Sequence, residues 1–370
     1  MTQQSVQRFY SLDALRGVAA LSVVFWHWQH LIYTSPGVYA VQQQPWYGVL
    51  FLFYQRGWLA IDMFFSLSGF IFYWLYAEKI RHGVVPLRQF LILRLSRLYP
   101  LHLATLLAVA LGQWLYASRH GSAFIYPWND AYHFLLNLLF ASSWGLEAGQ
   151  SFNGPVWSVS VEMALYIVFF LVCRGAGVRL RWMAFAVVIG YIVELKLYLP
   201  LGRGVAAFFL GGLVYRLYTR LALQRQRKTI ANALLLLMVL GWLFTLWVVG
   251  SGWGETLAAA VPLAGKLLFR MAPMLLFPLT ILALAMTEHC RGTMGRRISV
   301  LGDISYASYL LHFPLQLAFA ALLPALGLTP ALFLSPASLV LFFALLIPLS
   351  ALCHRHFELP MQQWLRRRFL

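Results

Sequence analysis

The chain has 370 residues, of which 61% are hydrophobic and 11% charged, with a mean hydropathy of +0.72 and a formal net charge of +17. Apolar runs of about 18 residues or more, the length that crosses hydrocarbon, recur along it and exclude a soluble domain of useful size. The basic excess needs no nucleic acid, since membrane topology and attraction to anionic headgroups account for it.

The first ten residues are polar with one basic residue, and the run that follows keeps Arg16 and lacks a small-residue cleavage site. It reads as an uncleaved first span rather than a removed signal peptide. That run, Ser11 to Tyr33, carries Asp13 and Arg16 at its start and His27 towards its end. An arginine and a histidine are costly in a bilayer, so a span that keeps both marks a functional site. Eleven steps of about 100° place Arg16 and His27 on one helix face, about 16 Å apart along the axis.

The apolar runs predict an all-α, polytopic membrane protein of about ten transmembrane helices, at about 12–32, 58–77, 98–117, 157–173, 182–199, 203–219, 229–250, 271–288, 300–322 and 334–353. The whole of 1–370 then forms one transmembrane domain. Segment 131–147 is shorter and flanked by Trp, Asn and Gly, which suits an interfacial or re-entrant helix better than a span. With both termini cytoplasmic, most of the 28 Lys and Arg fall in inner loops and tails, as the positive-inside bias requires. Cys173, Cys290 and Cys353 fall at inner ends, where thiols stay reduced.

Several stretches hold polar groups that a lipid-facing helix would not tolerate. The second span carries Asp62, then Ser66, Ser68 and Gly69; the small residues suit close helix packing, whereas a carboxylate there wants a partner or water. Before the third span, Arg94 and Arg97 are three apart on one face, a spacing that serves positive-inside anchors or a phosphate clamp, with Arg16 predicted at the same depth. In the fourth span Trp157 is followed by Ser158, Glu162 and Tyr166 at steps of four, and Glu162 lies at a depth similar to His27. A histidine and a carboxylate meeting in a polar cavity form a general-base pair. The sixth span opens on Arg203, an interface anchor or a ligand contact, and the ninth places Ser305, Tyr309 and His312 on one face before Pro314. His27 and His30 share a face, but two histidines without two further placed ligands make no metal site.

The pieces SLDALRGVAALSVVFWH, AIDMFFSLSGF, RLSR, VWSVSVE, RGVAAFFLGG, LGDISYASYLLHFP and FELP, running in order from residue 11 to 360, resemble acyltransferase family 3, the integral-membrane acyltransferases of bacterial envelopes. The resemblance is to the stand-alone members that lack an extracytoplasmic hydrolase-like domain. It implies transfer of an acyl group, usually acetyl, from cytoplasmic acyl-CoA to a hydroxyl of a carbohydrate or glycoconjugate at the outer side of the bacterial inner membrane. His27 and Glu162 would then be catalytic, and Arg16, Arg94, Arg97, Ser68 and Gly69 would hold the donor. Asp13, Asp62, Trp157, Ser158, Arg203, Tyr309 and His312 would bind acceptor or support the site, with no metal. Membrane lipids are the expected surroundings, and a homo-oligomer is left open. A transporter or flippase of lipid-linked sugars is the alternative, disfavoured because the halves show no inverted repeat.

Overall fold

The computed structural model describes residues 8–32, 40–175 and 179–370; the end of the first apolar run, from Tyr33, lies outside them. Among the described residues the chain is helical, with no strand. The principal helices are α1 (Tyr10–His27), α2 (Tyr47–Arg56), α3 (Ala60–Phe72), α4 (Leu87–His120), α5 (Ala131–Leu138), α6 (Trp157–Gly175) and α7 (Leu180–Leu197). They are followed by α8 (Pro200–Ala222), α9 (Arg227–Gly250), α10 (Pro262–Met271), α11 (Phe277–Arg291), α12 (Ser305–Leu322), α13 (Pro336–Cys353) and α14 (Leu359–Phe369).

Each of the ten predicted segments falls on helix. Six helical stretches are long and apolar enough to cross a membrane: Tyr47–Arg81, Leu87–His120, Gly154–Gly175, Arg227–Gly250, Pro262–Arg291 and Pro336–Phe369. The segments on α1, α7, α8 and α12 are not among the six. In α1 the reason is visible, since Asp13, Arg16 and His27 lower its hydropathy. Helix α5 has eight residues, about 12 Å, against a hydrocarbon core of about 30 Å.

Local chemistry fixes the helix ends. Helix α4 runs 34 residues and stops at Gly121, whose φ of +73° takes the left-handed turn that other residues resist. Helix α5 starts where the Asp130 carboxylate accepts from the His133 N–H at 2.9 Å. Small residues then let helices touch through backbone. A Cβ on Gly69 would lie 1.8 Å from the Phe208 carbonyl oxygen, and one on Gly211 would lie 1.9 Å from that of Ser66, so α3 and α8 lie in direct backbone contact. On the first helix, a Cβ at Gly17 would meet Leu301 at 2.5 Å, which seats α1 against the chain just before α12. An aromatic and aliphatic core of α3, α4, α6, α8 and α12 residues, including Phe72, Phe90, Phe169 and Phe208, surrounds the polar groups described next.

Candidate active site

Two cavities lie back to back among these helices. The first, of about 200 Å³, is lined by Arg16 of α1, Ser68 of α3, Arg94 and Arg97 of α4, Glu162 of α6 and Tyr309 of α12. Arg16 is anchored: its Nε and Nη2 donate to the Gly302 carbonyl at 3.2 and 2.9 Å, and Nη2 lies 3.0 Å from Asp13. Arg94 is buried, donates from Nη2 to the Tyr76 hydroxyl at 2.6 Å, and lies over the rings of Phe72 and Tyr76. Its buried Nε has no partner among the described residues. No carboxylate among them lies within ion-pair distance of Arg94 or Arg97. One oxygen of Glu162 accepts from Ser68 Oγ at 3.0 Å and from the Tyr166 hydroxyl at 2.6 Å.

The second cavity, of about 590 Å³, is lined by Trp26, His27, His30, Trp58, Tyr126 and Trp157, with Glu147, Glu194, Arg203 and Arg270 adding charge. Its polar groups are mostly satisfied internally. Asp62 accepts from Arg203 Nε and Nη2 at 2.6 and 2.7 Å, and the guanidinium lies 4.8 Å from the Trp58 ring centre. Glu194 pairs with Arg270 at 3.3 Å. The histidines differ. His27 stacks on His312 with ring centres 5.0 Å apart and lies 4.8 Å from His30, and Nδ1 of both His27 and His30 is buried without a hydrogen-bond partner among the described residues. His312 Nδ1 is 2.6 Å from the Tyr309 carbonyl, which can only accept, so Nδ1 carries the proton and Nε2 a bare lone pair. Gln316 Nε2 donates to the His27 carbonyl at 3.0 Å and holds the end of α1 against α12.

One thin wall separates the cavities. On α6, Trp157 lines the larger cavity while Ser158 and Val159 line the smaller; on α3, Ile61 lines the larger, Phe64 and Phe65 the smaller. The Tyr309 hydroxyl donates to the Pro155 carbonyl and accepts from Ser158 Oγ at 2.8 Å, pinning α12 to the start of α6. Its ring lies 5.8 Å from His312, which faces His27. An arginine-lined pocket thus abuts an aromatic chamber that presents an imidazole.

A family model described as an acyltransferase domain matches residues 9–355, nearly the whole chain. The chain belongs to acyltransferase family 3. It is 34% identical over 110 residues to Protein 2 in picA locus of Rhizobium radiobacter, covering 30% of this chain and 48% of that protein. It is 30% identical over 183 residues to acyltransferase MdmB of Streptomyces mycarofaciens, covering 48% of this chain and 43% of that protein. The chain thus spans less than half the length of these curated relatives. No solved structure matches it.

In this acyltransferase, Arg16, Arg94 and Arg97 meet in one cavity, as their faces and depths predict, and Ser68, which the resemblance alone put with them, lines it too. The expected pairing of His27 with Glu162 is corrected. Glu162 is held by Ser68 and Tyr166 in the arginine pocket, and the groups stacked on His27 are His312 and His30. Depth and helix face fix a residue's height and direction, but not which neighbour stands opposite it. Gly69 is likewise moved from the donor site to the α3–α8 contact, where it allows the backbones to touch. Asp13 braces Arg16, Asp62 braces Arg203, and Ser158 and Tyr309 build the wall. Sequence reasoning missed Tyr76 and Tyr126, which carry no distinguishing spacing, and it weighed His30 only as a metal ligand. Among the described residues no group of three or more His, Cys, Asp or Glu is placed to hold a metal.

Proposed function

We propose that this membrane acyltransferase moves an acyl group, acetyl in the simplest case, from acyl-CoA in the arginine pocket to a hydroxyl of a carbohydrate in the aromatic chamber. The observation that carries this is the adjacency of the two cavities across Ser158 and Tyr309, one lined by Arg94 and Arg97, which have no carboxylate partner among the described residues, and the other by His27. Guanidinium groups match phosphate oxygens, and Trp and Tyr faces suit the apolar faces of sugar rings. His27 takes the proton of the acceptor hydroxyl as its oxygen attacks the thioester carbonyl; the C–S bond breaks and the proton passes to the CoA thiolate. His312 and His30 orient the His27 ring, while Glu162 keeps Ser68 and Tyr166 in place beside the donor.

In this reading the arginine pocket opens to the cytoplasm of a bacterial inner membrane, both termini lie on that side, and ten helices span. The relative named acyltransferase MdmB supports the reaction class. The test is release of CoA thiol from acetyl-CoA by the detergent-purified chain, with and without carbohydrate acceptors. Acceptor-dependent release that His27→Ala abolishes, with CoA binding retained, is the expected result. Undiminished release by His27→Ala would overturn the assignment.

A further inference from the structure

The C-terminal helix α14 packs against the start of α4. Arg366 Nε donates to Ser96 Oγ at 3.2 Å, and Ser96 stands between Arg94 and Arg97 in the RLSR stretch. Arg366 is half-buried there, while its neighbours Arg367 and Arg368 are exposed. Like Arg94 and Arg97, it has no carboxylate within ion-pair distance among the described residues. The acids of the adjoining segments are engaged elsewhere: Glu358 with His354 at 3.0 Å, and Glu78 with Arg81 and His82 at 3.5 Å.

Three guanidinium groups gathered with no carboxylate at ion-pair distance among the described residues repel one another, the Glu162 carboxylate of the same cavity being bonded to Ser68 and Tyr166, and at least one buried N–H, Arg94 Nε, has no acceptor. A polyanion relieves both costs. We infer that Arg366 is a further phosphate-binding residue, brought by α14 to complete with Arg94 and Arg97 an anion site for the phosphates of the acyl donor. This rests on the donor reading above. CoA carries a 3′-phosphate and a diphosphate, so it offers several phosphoryl groups to a clamp built from α4 and the C-terminal helix. The C-terminal helix then belongs to the donor site and is not merely an anchor on the membrane surface.

The experiment is calorimetric binding of CoA to the full-length, detergent-purified chain and to Arg366→Gln, Arg366→Lys, Arg367→Ala and Ser96→Ala. The glutamine variant can still donate to Ser96 but has lost the charge; the lysine variant keeps the charge; the serine variant loses only the structural bond. The expected result is about tenfold weaker binding for Arg366→Gln, partial recovery in Arg366→Lys, and near-parental binding for Arg367→Ala and Ser96→Ala. Dephospho-CoA, lacking the 3′-phosphate, reports which phosphate is held: equal weakening of both ligands by Arg366→Gln points to the diphosphate, and loss confined to CoA points to the 3′-phosphate. Either pattern supports the assignment. Parental binding by Arg366→Gln, or equal losses in Arg366→Gln and Ser96→Ala, would overturn it while leaving the donor intact. Absence of CoA binding by the parent chain would instead overturn the donor reading and the inference with it.

Discussion

The separation of His27 from Glu162 has a kinetic consequence that a double-mutant cycle reads directly. His27→Ala removes the proposed base, and loss of a positioned general base costs about 10²–10⁴ in rate, or about 3–5 kcal/mol of transition-state stabilisation. Glu162→Gln is gentler by construction. The oxygen that accepts from Ser68 and Tyr166 is a single one, so the amide oxygen of glutamine can keep both bonds and only the charge is lost. Bonds to charged acceptors exceed neutral ones by about 1 kcal/mol each, so two of them give about 2 kcal/mol, or about 30-fold. Because the two groups line different cavities and share no contact, the double variant should show the sum of the two losses to within about 0.5 kcal/mol. The assay is the initial rate of CoA thiol release, corrected for uncatalysed hydrolysis, alongside calorimetric CoA binding. His27→Ala should leave binding unchanged. A double variant no slower than His27→Ala alone would show the two acting as one unit and would refute the separation.

Asp62→Ala strands the half-buried Arg203 charge and should destabilise the protein by about 1–3 kcal/mol; a thermal midpoint in detergent equal to that of the parent would show the pair to be dispensable. Gly211→Ala drives a methyl group into the Ser66 carbonyl and should cost about 1–3 kcal/mol, whereas Gly48→Ala, whose Cβ meets nothing within 4 Å, should be neutral or slightly stabilising in the same melts. The backbone N–H and the imidazole of His133 hold the Asp130 carboxyl below its usual range. A depressed carboxyl stabilises the folded form above its ordinary value and loses that contribution as the pH falls through the lowered one. Protection of residues 131–148 against proteolysis should therefore fade only in acid, and Asp130→Asn should flatten that pH dependence.

Much of this molecule is legible in its sequence because membrane helices obey few rules. Length and apolarity located helix in every predicted segment. Spacing of three put Arg94 and Arg97 in one cavity with Arg16, because residues on one helix face keep a common direction wherever the helix is placed. The ordered motifs carried the family, since each holds polar residues where lipid would exclude them. Hydropathy served less well for the number of spans. Six stretches meet the standard of length and apolarity, and α1 carries its site residues at the expense of that signal.

What the sequence leaves open is which faces oppose one another. The sequence places His27 and Glu162 at a similar depth, yet α12 brings His312 against the one while Ser68 and Tyr166 take the other. Gly69 follows a serine that lines the arginine pocket, but it faces the opposite way and meets α8. Arg366 stands 270 residues from Ser96 and reaches it only because α14 folds back on α4. Periodicity is a property of one helix and can be computed from one stretch of chain. The rotation of each helix about its own axis is decided by packing, through backbone contacts such as Gly69 on Phe208 and through paired charges such as Asp62 and Arg203. Those pairings exist only in the assembled bundle.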